Sequence, residues 1–146
     1  MLLIGLKNAT EQAVPAGGII NLGTVYRKYC KKCNGVKTFD TTSQSVSLQK
    51  AGMYQVTATV TFSAPVAGDV TIELYENGLP TGALATETIT TADTEIRSVT
   101  LDYIVLTDEG CLLNQLTTLI DVLSLVNTSD IVATITNVVF DVIKVI

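Results

Sequence analysis

Residues 51 to 78 read AGMYQVTATVTFSAPVAGDVTIELYENG. Val56, Ala58, Val60 and Phe62 alternate with Gln55, Thr57, Thr59, Thr61 and Ser63. After a break at Pro65 and Gly68 the alternation resumes, with Val70, Ile72 and Leu74 set against Thr71, Glu73 and Tyr75. A period of two sends one set of side chains to a core and the other to water, which is the mark of a half-buried strand. The outward set is mostly threonine, whose branched Cβ packs well on a pleated surface. Two such runs around turn residues predict an antiparallel pair, and Asn77-Gly78 is the positive-φ dipeptide that a tight reversal favours.

Working outward, the same signs recur. Leu2, Ile4 and Leu6 predict a short first strand, and Ile19 to Tyr26, after the Pro15-Ala16-Gly17-Gly18 turn, a second. Val46 and Leu48 between Ser45, Ser47 and Gln49 predict another, closed by Lys50-Ala51-Gly52. Val99, Leu101, Tyr103 and Val105 predict one more, ended by Asp108-Glu109-Gly110. Residues 79 to 95 read as a loop with a weak strand from Ala85 to Thr90. Short strands at intervals of about ten residues with turns between them point to a sandwich or barrel.

Two C-terminal stretches are apolar on both faces. In 112 to 126 the residues Leu112, Leu116, Leu119, Leu123 and Val126 fall at helical spacing, yet Thr117 to Val126 reads equally well as a strand. The final stretch, DIVATITNVVFDVIKVI, is β-branched throughout and is strand by propensity, with Val139, Ile143 and Val145 opposite Phe140 and Val142. Strands of this kind must be covered by a second sheet and a loop, or by a neighbouring subunit.

Composition narrows the function classes. The chain has 146 residues, enough for one domain with its own core, and a formal net charge of −5. Charged residues make up 16% of it, against about 25% in soluble domains, so its surface is threonine-coated, covered by other subunits, or both. An acidic chain is a poor nucleic-acid binder. Histidine is absent, which removes the commonest general base and metal ligand together. No apolar run reaches the ~20 residues of a membrane helix. MLLIGLKNATEQAV has no basic leader and breaks at Lys7, so synthesis in a cytosol is expected. The glycosylation sequons at Asn8 and Asn127 then read as chance in a threonine-rich chain.

The quoted strand and the segment after it carry a resemblance. Gly52-Met53-Tyr54 with its alternating Val/Thr, the run Leu74-Tyr75-Glu76-Asn77-Gly78-Leu79-Pro80-Thr81-Gly82-Ala83, and the closing Asn137-Val138-Val139-Phe140-Asp141-Val142 together span most of the chain. They resemble the trimeric jelly-roll domains of the tumour-necrosis-factor and complement globular-head superfamily, in particular short structural proteins of Firmicutes phages and prophages. The resemblance implies an all-β fold, a jelly-roll sandwich of about eight to ten antiparallel strands in a single domain from 1 to 146. It implies a strand at 117 to 126 and a homotrimer, in which Leu119, Leu123, Phe140 and Val142 would form core or interface. It implies a virion protein, a capsid decoration or head-fibre module, bound to other virion proteins such as capsid. The alternative it leaves is an adhesin of a phage tail tip or bacterial surface that binds cell-wall glycan.

Cys30-Lys31-Lys32-Cys33 departs from that pattern. Two thiols at this spacing are half a zinc knuckle or a redox dithiol. With Cys111 as the third sulfur and no histidine, a closed four-ligand site lacks a member, and no βαβ context supports a thioredoxin-like pair. Free or adventitiously disulfide-bonded cysteines are the expectation, with no metal and no cofactor. Residues 27 to 37 hold five of the nine basic side chains, and Arg27, Lys28, Lys31 and Lys32 are the candidate contacts for an acidic partner or a polyanionic polymer. A solvated turn is the plain reading of the same cluster. The carboxylate pairs Glu73/Glu76 and Asp108/Glu109 have no evident cleft, and the serines have no base. Tyr26, Tyr29, Tyr54, Tyr75 and Tyr103 could stack on sugars, though Tyr54 and Tyr103 are expected to pack in the core with their hydroxyls at its rim. A non-enzymatic protein is expected.

Overall fold

Val56, Ala58, Val60 and Phe62 all point inward from one of the two longest described strands of the computed structural model, and none is more than marginally exposed. The structure describes residues 2–29, 32–33, 36–107 and 121–145; for residues 2, 32, 33, 36 and 37 it describes the backbone alone. Its strands in chain order are β1 (Leu2–Asn8), β2 (Gln12–Val14), β3 (Thr24–Lys28), β4 (Lys32–Cys33), β5 (Val36–Lys37), β6 (Phe39–Thr41) and β7 (Val46–Leu48). They continue as β8 (Gly52–Ser63), β9 (Gly68–Glu76), β10 (Leu79–Ile89), β11 (Arg97–Thr107), β12 (Asp121–Asn127) and β13 (Ala133–Lys144). One sheet runs β11-β8-β13-β1-β3, with β2 also paired to β13, and the other runs β10-β9-β12-β7-β6. β4 and β5 pair separately. Every pairing is antiparallel, and the two sheets close on one shared core. This is a jelly-roll β-sandwich.

The threonine-alternating runs form strands as expected, but they do not pair with each other. β8 and β9 lie in opposite sheets. Side by side, Val60 and Phe62 would extend one apolar face with Val70 and Ile72 and leave it uncovered. Stacked face to face, each run buries the other, and Ala64-Pro65-Val66-Ala67 carries the chain across. The predicted Asn77-Gly78 reversal instead joins β9 to β10, with φ of 55° and 78° at its two residues. That is the geometry of a two-residue hairpin turn.

Segment 79 to 95 corrects the loop reading, because β10 spans eleven residues. Its inward side is Thr81, Ala83, Ala85, Glu87 and Ile89, and apart from Ile89 these are too small or polar to show an apolar alternation; the ladder to β9 makes it a strand. A wide bulge interrupts that ladder between Pro80 and Leu84. There Thr81 Oγ1 donates to the Leu74 carbonyl at 2.7 Å and Gly82 takes a φ of 83°. The Asn77 to Ala83 motif is therefore a hairpin with its bulge.

Residues 19 to 26 form no single strand either. Ile20 N donates to Leu125 O on one sheet, whereas Thr24 to Lys28 pair with β1 on the other. The switch occurs at Gly23, with a φ of 81° and its backbone pressed on Lys7, where an added Cβ would lie 2.2 Å from the carbonyl oxygen. The described part of the ambiguous 112–126 segment is β12, a strand; residues 108 to 120 lie outside the described residues.

The core holds Tyr54, Phe39, Phe62 and Phe140 as its largest side chains, with Leu123 and Val142 wholly buried among them. The Tyr54 hydroxyl donates a hydrogen bond to the Lys50 carbonyl at 2.5 Å, while Tyr103 is half-buried against the core. Asn127, one of the two sequon asparagines, is wholly buried. Its Nδ2 donates to the carbonyls of Val14 at 3.0 Å and Ile131 at 2.9 Å, and its Oδ1 accepts from the Ser129 backbone N–H and hydroxyl. It ties the start of the chain to the β12–β13 corner and has no exposed amide for a glycan.

Val142→Asp and Leu123→Lys each place an unpaired charge in that core and should cost several kcal/mol. Asn127→Ala should cost about 2–4 kcal/mol by leaving buried carbonyls without a donor. Urea denaturation checks all three, and an unchanged midpoint for any one would show that its side chain is not buried in solution.

Candidate functional site

The outward face of the β11-β8-β13-β1-β3 sheet is the most organised surface of the molecule. Its upper part is a ladder of hydroxyl pairs between β8 and β11. Thr61 Oγ1 and Ser98 Oγ lie 2.8 Å apart, Thr59 and Thr100 hydroxyls 3.4 Å apart, and Thr57 Oγ1 donates to Asp102 Oδ1 at 2.9 Å. Cross-strand pairs of this type contribute roughly 0.2–1 kcal/mol each.

One row further across the sheet, a tyrosine folds over a glycine. Between Gly5 and Leu6 the β3 register slips by one residue, and Tyr26 is the extra one. A bulge re-aims its side chain, so that the ring lies over Gly5, where an added Cβ would meet Tyr26 Cε1 at 2.5 Å. The phenol reaches past it and donates to Asp141 Oδ1 at 2.6 Å, and Lys7 Nζ sits 4.8 Å from the ring centroid. Donation to that carboxylate, helped by burial and by its negative charge, holds the Tyr26 hydroxyl above the usual tyrosine range, with Arg27 opposing. A glycine inside the Leu2 to Leu6 alternation was the available sign, since glycine in a strand marks a close approach.

The lower end of the same face is apolar. Register places Leu106 opposite Met53 and Ile104 opposite Gln55, which in turn faces Ile143. Val145 N donates to Met53 O, which brings Val145 beside them. Leu106 is 66% exposed, Ile104 51% and Val145 51%. Leu123, Phe140 and Val142, expected at core or interface, are wholly buried inside the single chain. The apolar surface on this face belongs to their outward neighbours, half-buried Val139 and Ile143, and to the β11 pair Ile104 and Leu106. Leu119 lies outside the described residues.

The basic edge is partly visible. Every residue of β3 is exposed, and among the described residues neither Arg27 nor Lys28 has an ion-pair partner. Lys31, Cys30 and Cys111 lie outside the described residues, as do the side chains of Lys32 and Cys33. Among the described residues no group of three or more Cys, Asp or Glu is placed to hold a metal. Glu73 and Glu76 point to opposite faces of β9 and do not converge; Glu73 is buried and accepts from Gly82 N at 3.1 Å. Asp108 and Glu109 lie outside the described residues. No helix among the described residues is long and apolar enough to cross a membrane.

No family model and no curated protein matches the sequence. Solved structures do match its fold along nearly the whole chain. The globular domain of zebrafish complement 1qA superposes with a TM-score of 0.65 at 8% identity, over 100% of this chain and 98% of that one. The Eiger TNF of S. frugiperda gives 0.64 at 11% identity, over 99% and 93%. The chain has the tumour-necrosis-factor and complement globular-head fold. PRD1 vertex protein P5 matches it as well, with a TM-score of 0.56 at 11% identity, over 99% of this chain and 96% of that one.

Replacing Tyr26 by Phe should cost about 1 kcal/mol at neutral pH, less than a buried bond to a charged acceptor contributes because the pair is part exposed. Since the folded state favours the neutral phenol, the contact contributes fully below about pH 10, the unfolded value. It is lost as pH rises through the higher folded value. The wild-type melting temperature should fall in alkaline buffer, and Tyr26→Phe should lessen that fall; burial raises Tyr54 too and leaves a residual slope in the variant. Equal slopes in both proteins would mean the Tyr26–Asp141 bond is absent in solution.

Proposed function

We propose that the chain is a non-catalytic structural module of a phage particle, displayed on the virion as a homotrimer. The observation that carries this reading is the outward sheet face, which ends in Ile104, Leu106 and Val145, large apolar side chains each at least half exposed. Patches of that kind mark association surfaces. The fold supports it through its likeness to a viral vertex protein and to complement and tumour-necrosis-factor heads. In the trimer the three apolar ends meet, while the hydroxyl ladder supplies polar contacts around them. Nothing in the reading calls on catalysis or a cofactor.

The basic edge serves attachment. Arg27 and Lys28, with Lys31 and Lys32 following in sequence, concentrate positive charge on an acidic chain and steer it to an anionic surface such as capsid protein. Three copies on one rigid body raise avidity by ~10²–10⁴ when all engage together.

Light scattering on the purified protein should give the mass of three chains, and a monomer mass would remove the trimer. Ile104→Lys with Leu106→Lys, both at exposed sites, should yield folded monomers. Retention of the trimer would move the interface elsewhere. Changing Arg27, Lys28, Lys31 and Lys32 to serine should leave the trimer intact but release it from purified particles at low salt, with the difference shrinking as salt rises. Particles purified from the producing host and probed with antibody should carry the protein; their lack of it would end the virion reading.

A further inference from the structure

At the end of the sandwich where the chain switches sheets, a cleft of about 500 Å³ opens between the tip of β1, residues 10 to 12 and residues 21 to 24. Its size is that of a small-ligand site, but its walls are unusual for one. Every lining residue is polar or glycine. Among the described residues no aromatic or large aliphatic side chain lines it for a nucleobase or a hydrophobic ligand, although the carbon stems of its polar side chains form most of the exposed wall. No lining cation is present for a phosphate, and Glu11 alone is too little for a metal.

The cleft is built rather than incidental. Ile20 and Leu22, both wholly buried, anchor the segment on either side of Asn21. Gln12 then clamps the Asn21 backbone from both sides, its Nε2 donating to Asn21 O and its Oε1 accepting from Asn21 N, each at 2.8 Å. Asn8 Nδ2 donates to the same carbonyl at 3.0 Å, while its Oδ1 accepts from Thr10 N at 2.9 Å. Asn21 Oδ1 accepts from Gly23 N at 2.8 Å. These bonds consume the Gln12 and Asn8 amides and hold the frame. Left without a partner among the described residues are the Asn21 Nδ2 donors, the Thr10, Thr24 and Ser43 hydroxyls and the Glu11 carboxylate.

We infer that this cleft binds a neutral polyhydroxyl ligand, a sugar unit of a glycan. A carboxylate accepts from two neighbouring sugar hydroxyls, a fixed amide donates to a third, and rotating side-chain hydroxyls serve as either partner. Asn21 is held by Gly23 N and by the Gln12 clamp on its backbone, so little ordering is lost at that residue on binding. The site stands on different residues from the proposed subunit face and the basic edge, so its fate is independent of the trimer.

The test is an NMR titration of the isotope-labelled protein with maltotriose, cellotriose and chitotriose in the millimolar range, with spermidine and inorganic phosphate as controls. At least one trisaccharide should shift the backbone amides of Thr10 and Gly23 and the side-chain amide of Asn21 saturably. Glu11→Gln, at an exposed position, should weaken that binding about tenfold through loss of a charged acceptor. Saturable shifts lost from Glu11→Gln would support the site. Three silent trisaccharides, shifts unaltered by Glu11→Gln, or a response to spermidine or phosphate alone would overturn it.

Discussion

Two sheets that each have one apolar face must be stacked, and the stacking of β8 and β13 over β9 and β12 is the constraint from which the rest of the molecule follows. The inward residues Val56, Ala58, Val60, Val138, Phe140 and Val142 form one wall, and Val70, Ile72, Leu74, Leu123 and Leu125 the other. None of these side chains can leave without opening a cavity in a close-packed interior. The backbone ladders hold the walls flat, and Asn127 pins the corner where the chain passes from one to the other. β13 pairs with both β8 and β1, so the two ends of the chain lie beside each other in the centre of the same sheet.

With the core committed to packing, chemistry is left to surfaces. The outward face divides into a hydroxyl ladder, a tyrosine–aspartate bridge and an apolar end, and each part differs in what it can meet. Hydroxyl pairs satisfy one another and add modestly to strand pairing. The apolar end satisfies nothing in the single chain. The chain is also poor in charge, at 16% charged residues, so hydroxyl and apolar groups make up much of what its surface presents.

The segment from Asn8 to Lys28 behaves differently from the sandwich proper. It contributes β2 and β3, bridges to β12 at Ile19, and changes sheets at Gly23. Backbone that serves two sheets cannot lie fully in either, so side-chain amides take up the bonds that a ladder would otherwise make. The same departure opens the polar cleft and leaves β3 exposed on both sides, which places the basic edge and the amide frame next to each other in sequence.

The alternation of Val56 to Phe62 with threonine was enough to determine that this is a β protein, which residues face inward, and where Asn77-Gly78 turns the chain, because those properties depend on side-chain period and on φ at single residues. Tertiary structure decided what each strand lies against. Nothing local in β8 and β9 says whether they pair or stack, since the alternation is the same in either arrangement and only the full set of strands settles which leaves less apolar surface uncovered. β10 was illegible because alanine, threonine and glutamate on its inner side draw their strand character from β9. Tyr26 and Asp141 are 115 residues apart, so Gly5 showed that something comes close but not what. Arg27 and Lys28 were visible as a charge cluster from composition alone. The apolar end was visible only in part: Val145 stood out on a strand apolar on both faces, but Ile104 and Leu106 look like any core residue until the other face of their strand is seen to be full.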